Sequence, residues 1–279
     1  MTTLSPPLTG ALPDLDAWTA HFRTVEIPIL AETAEALEAM RLREDDVDAN
    51  LIGEMISGDP LMTLKVLAYA ANHRGSRMVT DTETVIATLV MMGISPFFRA
   101  FGAQPTVEER LAGEPEALAG VLDTIRRAHR SATFALGLAV HRQDRDAAVI
   151  HEAALLHDFA EMLLWCHAPA LALLIRRAQQ DDAALRSSAI QHAVLNIELA
   201  DLQQSLMKAW RLPELLIRIS DDAHAGQASV KNVALAVRLA RHTAQGWDNA
   251  ALPDDVADIA ALLNLSYGAT LSLIGQIQP

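Results

Sequence analysis

The sequence predicts an all-α fold, and three observations support this class. The hydrophobic fraction is 51% but the aromatic fraction only 4%, so Ala, Leu, Ile and Met must fill the interior, which favours packed helices over sheets. Several segments open with a polar capping residue followed by proline, as helices do. No segment shows convincing alternation of apolar and polar residues, and no fixed-period repeat is visible.

The sharpest helix boundary lies at Ser57-Gly58-Asp59-Pro60. Gly58 suits a helix end, Asp59 an N-cap and Pro60 the first helical position. The helix that follows, residues 61–71, is almost entirely apolar, so it should be buried. We expect it to pack inside an N-terminal lobe through Leu64, Leu67 and Ala68.

Further helices are predicted on both sides of this boundary. Thr80 to Glu83 has the form of a capping box before a helix at 85–92, which Gly93 ends. A change of character at 103–120, where Pro, Gly and Glu interrupt the apolar pattern, predicts a junction between two helical lobes. The chain is accordingly divided into an N-terminal extension with a short helix (1–26), an N-terminal lobe (27–112) and a second lobe (113–279). The other predicted helices are 14–23, 47–56, 117–141, 151–165, 169–180, 182–195, 198–210, 213–223, 229–245, 254–263 and 266–277.

Charge and cysteine content limit the classes of partner and compartment. The net charge of −13 argues against nucleic acid or an anionic membrane as the main partner. No signal peptide and no apolar run of about 20 residues is visible. The one cysteine, Cys166, can form no intrachain disulfide. A cytoplasmic protein without a membrane partner is therefore expected.

One apolar stretch, residues 151–165, carries polar side chains into what should be a buried helix. Between Ala153 and Trp165 the only polar side chains are His157, Asp158 and Glu161, and a helix this apolar should be enclosed by protein. His129 lies 28 residues before His157, a separation that suits two antiparallel helices and a turn. Either these groups hold a metal, or their hydrogen bonds connect the core.

The motifs together resemble the HDOD family, the HD-related output domains of bacterial signalling proteins. The resemblance covers most of the chain from about Ile27. The resemblance rests on several short motifs that follow one another in the family's order along the chain. The Ser-x-Asp-Pro-Leu turn and the Leu-Leu-His-Asp segment are the most specific of them. The matching residues are Ile27-Pro28-x-Leu30, Ile56-Ser57-x-Asp59-Pro60-Leu61, Lys65-Val66-Leu67, Ala71-Asn72, Met91-Met92-Gly93, His129-x-Ser131, Ala154 to Phe159, and Trp210-x-Leu212-Pro213.

The resemblance implies a two-lobed helical fold, with an N-terminal lobe packed on a degenerate HD-like lobe. It also implies a regulatory role without an established common reaction. In active HD relatives two His and two Asp hold a divalent metal, and here the closing Asp would fall on Val237, which cannot bind one. The resemblance leaves a degenerate site of His129, His157 and Asp158. It assigns motif or structural roles to Asp59, Pro60, Asn72, Gly93, Trp210 and Pro213.

Two functions follow as alternatives. The first is a non-enzymatic signalling module that binds protein partners, with no cofactor. The second is a metal-dependent phosphohydrolase acting on a nucleotide or phosphoester, with His129, His157 and Asp158 as ligands beside a water. Val237 favours the first, and a buried Asp158 paired with His129 would then be structural. The sequence does not identify the partner or the oligomeric state.

Overall fold

The chain folds into α-helices joined by short connections. The structure, a computed structural model, describes residues 6–73, 82–182 and 185–277. The predicted all-α class is confirmed, since within these residues no β-strand forms and extended pairing is limited to one bridge between Ile29 and Thr106. The helices in chain order are α1 (Leu15–Phe22), α2 (Ala31–Arg41), α3 (Ala49–Ser57), α4 (Pro60–Asn72), α5 (Val85–Met92), α6 (Ile94–Ala100), α7 (Val107–Arg110), α8 (Pro115–His141), α9 (Ala147–Leu155), α10 (Phe159–His167), α11 (Pro169–Asp181), α12 (Ser187–Leu195), α13 (Leu199–Ala209), α14 (Glu214–Ile219), α15 (Ala228–His242), α16 (Leu252–Leu263) and α17 (Tyr267–Ile277). Two short 3₁₀ helices span Glu44–Asp46 and Asp222–His224.

These helices form two compact units. Unit 1 comprises Met1–Thr124 and Asp158–Leu212, and unit 2 comprises Ile125–His157 and Pro213–Pro279. The chain crosses from one unit to the other inside α8 after Thr124, again between His157 and Asp158, and again between Leu212 and Pro213. These bounds differ from the lobes 27–112 and 113–279, and that division of the sequence stays a prediction.

Helix α4 is the buried centre of unit 1. The predicted packing face is confirmed, because Leu64, Leu67 and Ala68 are all buried. Helix α1, in the predicted extension 1–26, also belongs to this core. Its Trp18 and Phe22 are fully buried, and the indole Nε1 of Trp18 donates a hydrogen bond of 2.9 Å to a backbone carbonyl of α12.

Short polar side chains start several of these helices. Asp48 caps α3 through a hydrogen bond from Leu51 N, and Thr106 forms a full capping box with Glu109. The N-cap of α5 is Thr84, whose hydroxyl accepts from the backbone N–H of Ala87. The capping box predicted to start at Thr80 lies partly outside the described residues.

Unit 2 is built around α15, which packs on α9 and α16. Its Asn232 is fully buried and donates a hydrogen bond of 3.2 Å to the carbonyl of Ala135 in α8. Asp255 of α16 is also buried and lies 2.6 Å from Arg238 Nε and 2.6 Å from His242 Nδ1. This carboxylate therefore joins α16 to two basic side chains of α15.

In the described part of the chain, no single helix is long and apolar enough to cross a bilayer. Two pairs of consecutive helices reach that length and composition only when taken together across a sharp bend.

Candidate functional site

The Asp59-Pro60 boundary is a hydrogen-bonded centre in unit 1. The carboxylate of Asp59 is fully buried. Its Oδ1 accepts from Leu61 N at 2.9 Å and Met62 N at 3.0 Å, which caps α4, with Pro60 as its first residue. Its Oδ2 accepts from Leu30 N at 2.7 Å. Burial raises the pKa of Asp59, and these backbone donors partly counter that rise. The predicted cap is confirmed, and the same side chain also fixes the segment at Leu30.

Lys65 binds the same segment from the next turn of α4. Its Nζ donates to the side chains of Glu26 and Gln104 and, at 2.9 Å, to the carbonyl of Ile27. Burial lowers the pKa of Lys65, and the neighbouring Glu26 opposes that effect. The sequence motifs around Ile27, Asp59 and Lys65 thus meet in one structural cluster, which explains why they occur together.

The His157-Asp158 pair lies in a turn and not within a helix. The single helix predicted over 151–165 is wrong, because α9 ends at Leu155 and α10 begins at Phe159. Asp158 has φ −109° and ψ 21°, outside the α-helical region. It is half-buried rather than buried. It precedes α10 without capping it through its side chain. The apolar residues on either side remain buried in two separate helices.

His157 lies near a carboxylate that the sequence did not identify as its partner. Its Nε2 is 3.6 Å from Asp222 Oδ2, and both residues belong to unit 2. The side chain of His157 is 17% exposed and that of Asp222 61% exposed. A pair at this distance that lies partly in water contributes little to stability.

His129 lies near a second histidine, His151 of α9, within unit 2. Burial lowers the pKa of His151, and the positive charge of His129 lowers it further. No sequence motif pairs His151 with His129, so its place beside that residue was missed. Both causes disfavour a positive charge on the ring of His151.

The described residues do not fit the divalent metal of an HD site. Nowhere in residues 6–73, 82–182 and 185–277 are three or more His, Cys, Asp or Glu side chains grouped so that they could hold a metal ion. Val237, on which the resemblance predicts the closing carboxylate to fall, is buried in α15. Of the predicted ligands, His129 and His157 belong to unit 2 and Asp158 to unit 1. The predicted pairing of Asp158 with His129 stays a prediction.

The other motif residues shape the backbone or the core. Asn72 Nδ2 donates to Ala68 O at 2.9 Å in the last turn of α4. Gly93 ends α5 with φ 83°, a conformation that glycine adopts without strain. Trp210 is buried in unit 1, with its ring centroid 5.8 Å from that of Phe159. Pro213 directly precedes α14.

The chain is similar in sequence to one domain family and in fold to several solved helical structures. The HDOD domain model matches residues 27–225. Among solved structures, the MmoQ response regulator from Methylococcus capsulatus str. Bath aligns with a TM-score of 0.67 and 19% identity, over 90% of this chain and 98% of its own. A virulence factor from Campylobacter jejuni subsp. jejuni aligns with a TM-score of 0.63 and 17% identity, over 95% and 98% of the two chains. An HDOD domain protein with unknown function from Geobacter sulfurreducens gives 0.51 and 14%, over 94% and 96%. These similarities show a common fold. No curated protein matches the sequence.

Proposed function

The chain belongs to the HDOD domain family, and from that membership we propose that it is a non-enzymatic signalling module that acts by binding protein partners. The observation that carries the proposal is Val237. An apolar, buried side chain stands where the family pattern of active HD relatives has a metal-binding Asp. The fold shared with a response regulator supports a role in signalling.

The polar groups that remain at the HD position suit structural roles. His157 pairs with the exposed carboxylate of Asp222. Burial and the neighbouring His129 lower the pKa of His151. A hydrolytic metal site needs at least three protein ligands and a water. Because the described residues offer no such group, the proposal involves no metal and no cofactor.

The proposal is tested by an assay for metal-dependent hydrolysis. The purified protein is incubated with bis(p-nitrophenyl) phosphate and with nucleotides in the presence of Mn²⁺, Fe²⁺ or Ni²⁺, beside the variants His157→Ala and Asp158→Ala. We expect the wild type and both variants to give the same background rate. A metal-dependent rate that both substitutions abolish, in variants with unchanged circular dichroism, would instead support the metal-dependent phosphohydrolase as the function.

A further inference from the structure

Among the described residues, the outward face of α5 is an apolar surface exposed to solvent. Its eight residues include no charged side chain. Val85, Thr88 and Leu89 are buried against unit 1, whereas Ile86 is 40%, Val90 65% and Met91 60% exposed. We call these three side chains the α5 face. Ile86 and Val90 are four residues apart and so neighbour each other on the helix surface.

This face is held in place by the helices beneath it. Helix α5 packs against α3 and α4. Its approach to α3 depends on Gly53, where a Cβ atom would lie 2.5 Å from Cγ1 of Ile86. Thr88, the polar residue of α5, is buried, and its hydroxyl donates a hydrogen bond to the hydroxyl of Thr82. The α5 face is therefore a preformed surface on a fixed helix, and contiguous exposed apolar surface of this kind marks interaction sites.

Acidic residues lie beside this face. Unit 1 holds 13 of the 22 basic residues and 25 of the 35 acidic ones, so it has a net charge of −12 and unit 2 only −1. Residues 26–54 alone contain nine acidic and two basic residues. Glu44, the first of three consecutive acids, accepts a hydrogen bond from Ser95, two residues after the end of α5 at Gly93. Glu54 follows Gly53 in α3 and is exposed.

We propose that the α5 face with its acidic surroundings is a docking site for a cationic amphipathic helix of a partner protein, an inference that rests on the proposed function. Apolar side chains at a spacing of three or four residues on the partner would cover Ile86, Val90 and Met91. Lysine or arginine on its flanks would pair with the carboxylates of residues 44–54. A second copy of this chain would bring two acidic surfaces together, and an anionic membrane would be repelled for the same reason.

The test uses a designed 18-residue helical peptide of leucine and lysine, with a leucine and glutamate peptide of the same pattern as control. Binding to the full chain is measured by fluorescence anisotropy at two salt concentrations. We expect binding of the Leu/Lys peptide only, weakened at the higher salt concentration. The double variant Val90→Thr/Met91→Gln should weaken it at least tenfold. The matched control Val140→Thr/Leu271→Gln changes two exposed apolar residues of unit 2 and should leave it within twofold.

A second pair of variants tests the acidic contribution. Asp45→Asn/Asp46→Asn should weaken binding and reduce its salt dependence, whereas Asp248→Asn/Asp254→Asn removes the same charge from unit 2 and should change neither. All the substituted positions are exposed, so folding should be preserved in each variant.

Several outcomes would overturn the docking proposal. The first is that both peptides bind equally well, and the second is that the Val90/Met91 variant binds the Leu/Lys peptide as tightly as the wild type. The third is that the wild type self-associates in sedimentation experiments and this variant does not. The fourth is that the protein sediments with phosphatidylcholine vesicles containing phosphatidylglycerol. Failure of the proposed function would look different, because it would show as metal-dependent hydrolysis that requires His157 and Asp158. A protein that binds neither peptide and has no such hydrolysis would refute only the docking site.

Discussion

Replacement of Asp59 by alanine should be far more damaging than loss of an ordinary helix cap. The carboxylate satisfies three backbone N–H groups, two in the first turn of α4 and a third at Leu30. Loss of the cap costs about 0.5–2 kcal/mol. The buried N–H of Leu30 is also left without its acceptor, which costs about 1–3 kcal/mol more. Removing a desolvated carboxylate recovers part of this, so we expect a net loss of about 2–4 kcal/mol.

A matched control separates the cap from the contact with Leu30. Asp48 caps α3 through one hydrogen bond, to Leu51 N at 2.8 Å, and is exposed. Asp48→Ala should therefore cost only about 0.5–1 kcal/mol. Asp59→Asn keeps an acceptor oxygen for α4 but turns its amide NH₂ toward the N–H of Leu30, so that a donor faces a donor. Its cost should therefore lie between those of the two alanine variants.

The assay is urea unfolding of the three variants and the wild type, followed by circular dichroism and tryptophan fluorescence. Because the chain has two compact units, the transitions from both probes must coincide before free energies are compared. The difference between Asp59→Ala and Asp48→Ala measures the contact with Leu30. If the two variants lose the same free energy of unfolding, the assigned role of Asp59 is refuted.

Two other predictions concern buried titratable groups. Burial, assisted by the charge of Arg110, lowers the pKa of His167 to about 3, so the unfolded chain takes up this proton below its ordinary pKa near 6.5 while the folded chain does not. The stability that the neutral ring contributes is thus present above pH 6.5 and lost as the pH falls toward 3, by about 2 kcal/mol at pH 5. In urea titrations at pH 8 and pH 5, the free energy of unfolding of His167→Gln should fall by correspondingly less than that of the wild type. An equal fall in both proteins would contradict this. In unit 2, Asp255→Ala removes the buried carboxylate that contacts both Arg238 and His242. Because Arg238 is partly exposed and keeps Asp258, the loss should be about 1–3 kcal/mol, less than for a fully buried pair. Asp258→Ala, which removes a half-exposed partner of the same arginine, should cost about 0–1 kcal/mol. Equal thermal melting of the two variants would be evidence against the network.

Local signals in the sequence predicted most helices, and non-local contacts account for what was missed. The Gly58-Asp59-Pro60 boundary was predictable because cap, proline and apolar run are adjacent in the chain. The break at Leu156 to Asp158 was not, since these residues include neither glycine nor proline and the apolar pattern continues across them. The turn after α9 lies beside the 3₁₀ helix Asp222–His224 through His157 and Asp222, a contact between distant parts of the chain that no local pattern shows.

The candidate site shows the same limit. His129, His157 and Asp158 were selected by their resemblance to a motif, and the structure adds neighbours that no spacing rule connects to them. Asp222 is 65 residues from His157 in the chain, and His151 was separated from His129 by a predicted turn. Val237 was informative in the sequence because a valine cannot bind a metal in any fold.

The central claim, that the HD-like position holds no functional metal, is tested most directly by a thermal melt of the purified wild type with and without a chelator. A metal bound at 100 times its Kd would stabilise the folded state by about 2.7 kcal/mol, which for a chain of this size corresponds to a few degrees in Tm. The account predicts the same Tm with and without chelator. A chelator-induced decrease of about 3 °C or more, reversed by adding back one equivalent of metal, would contradict it.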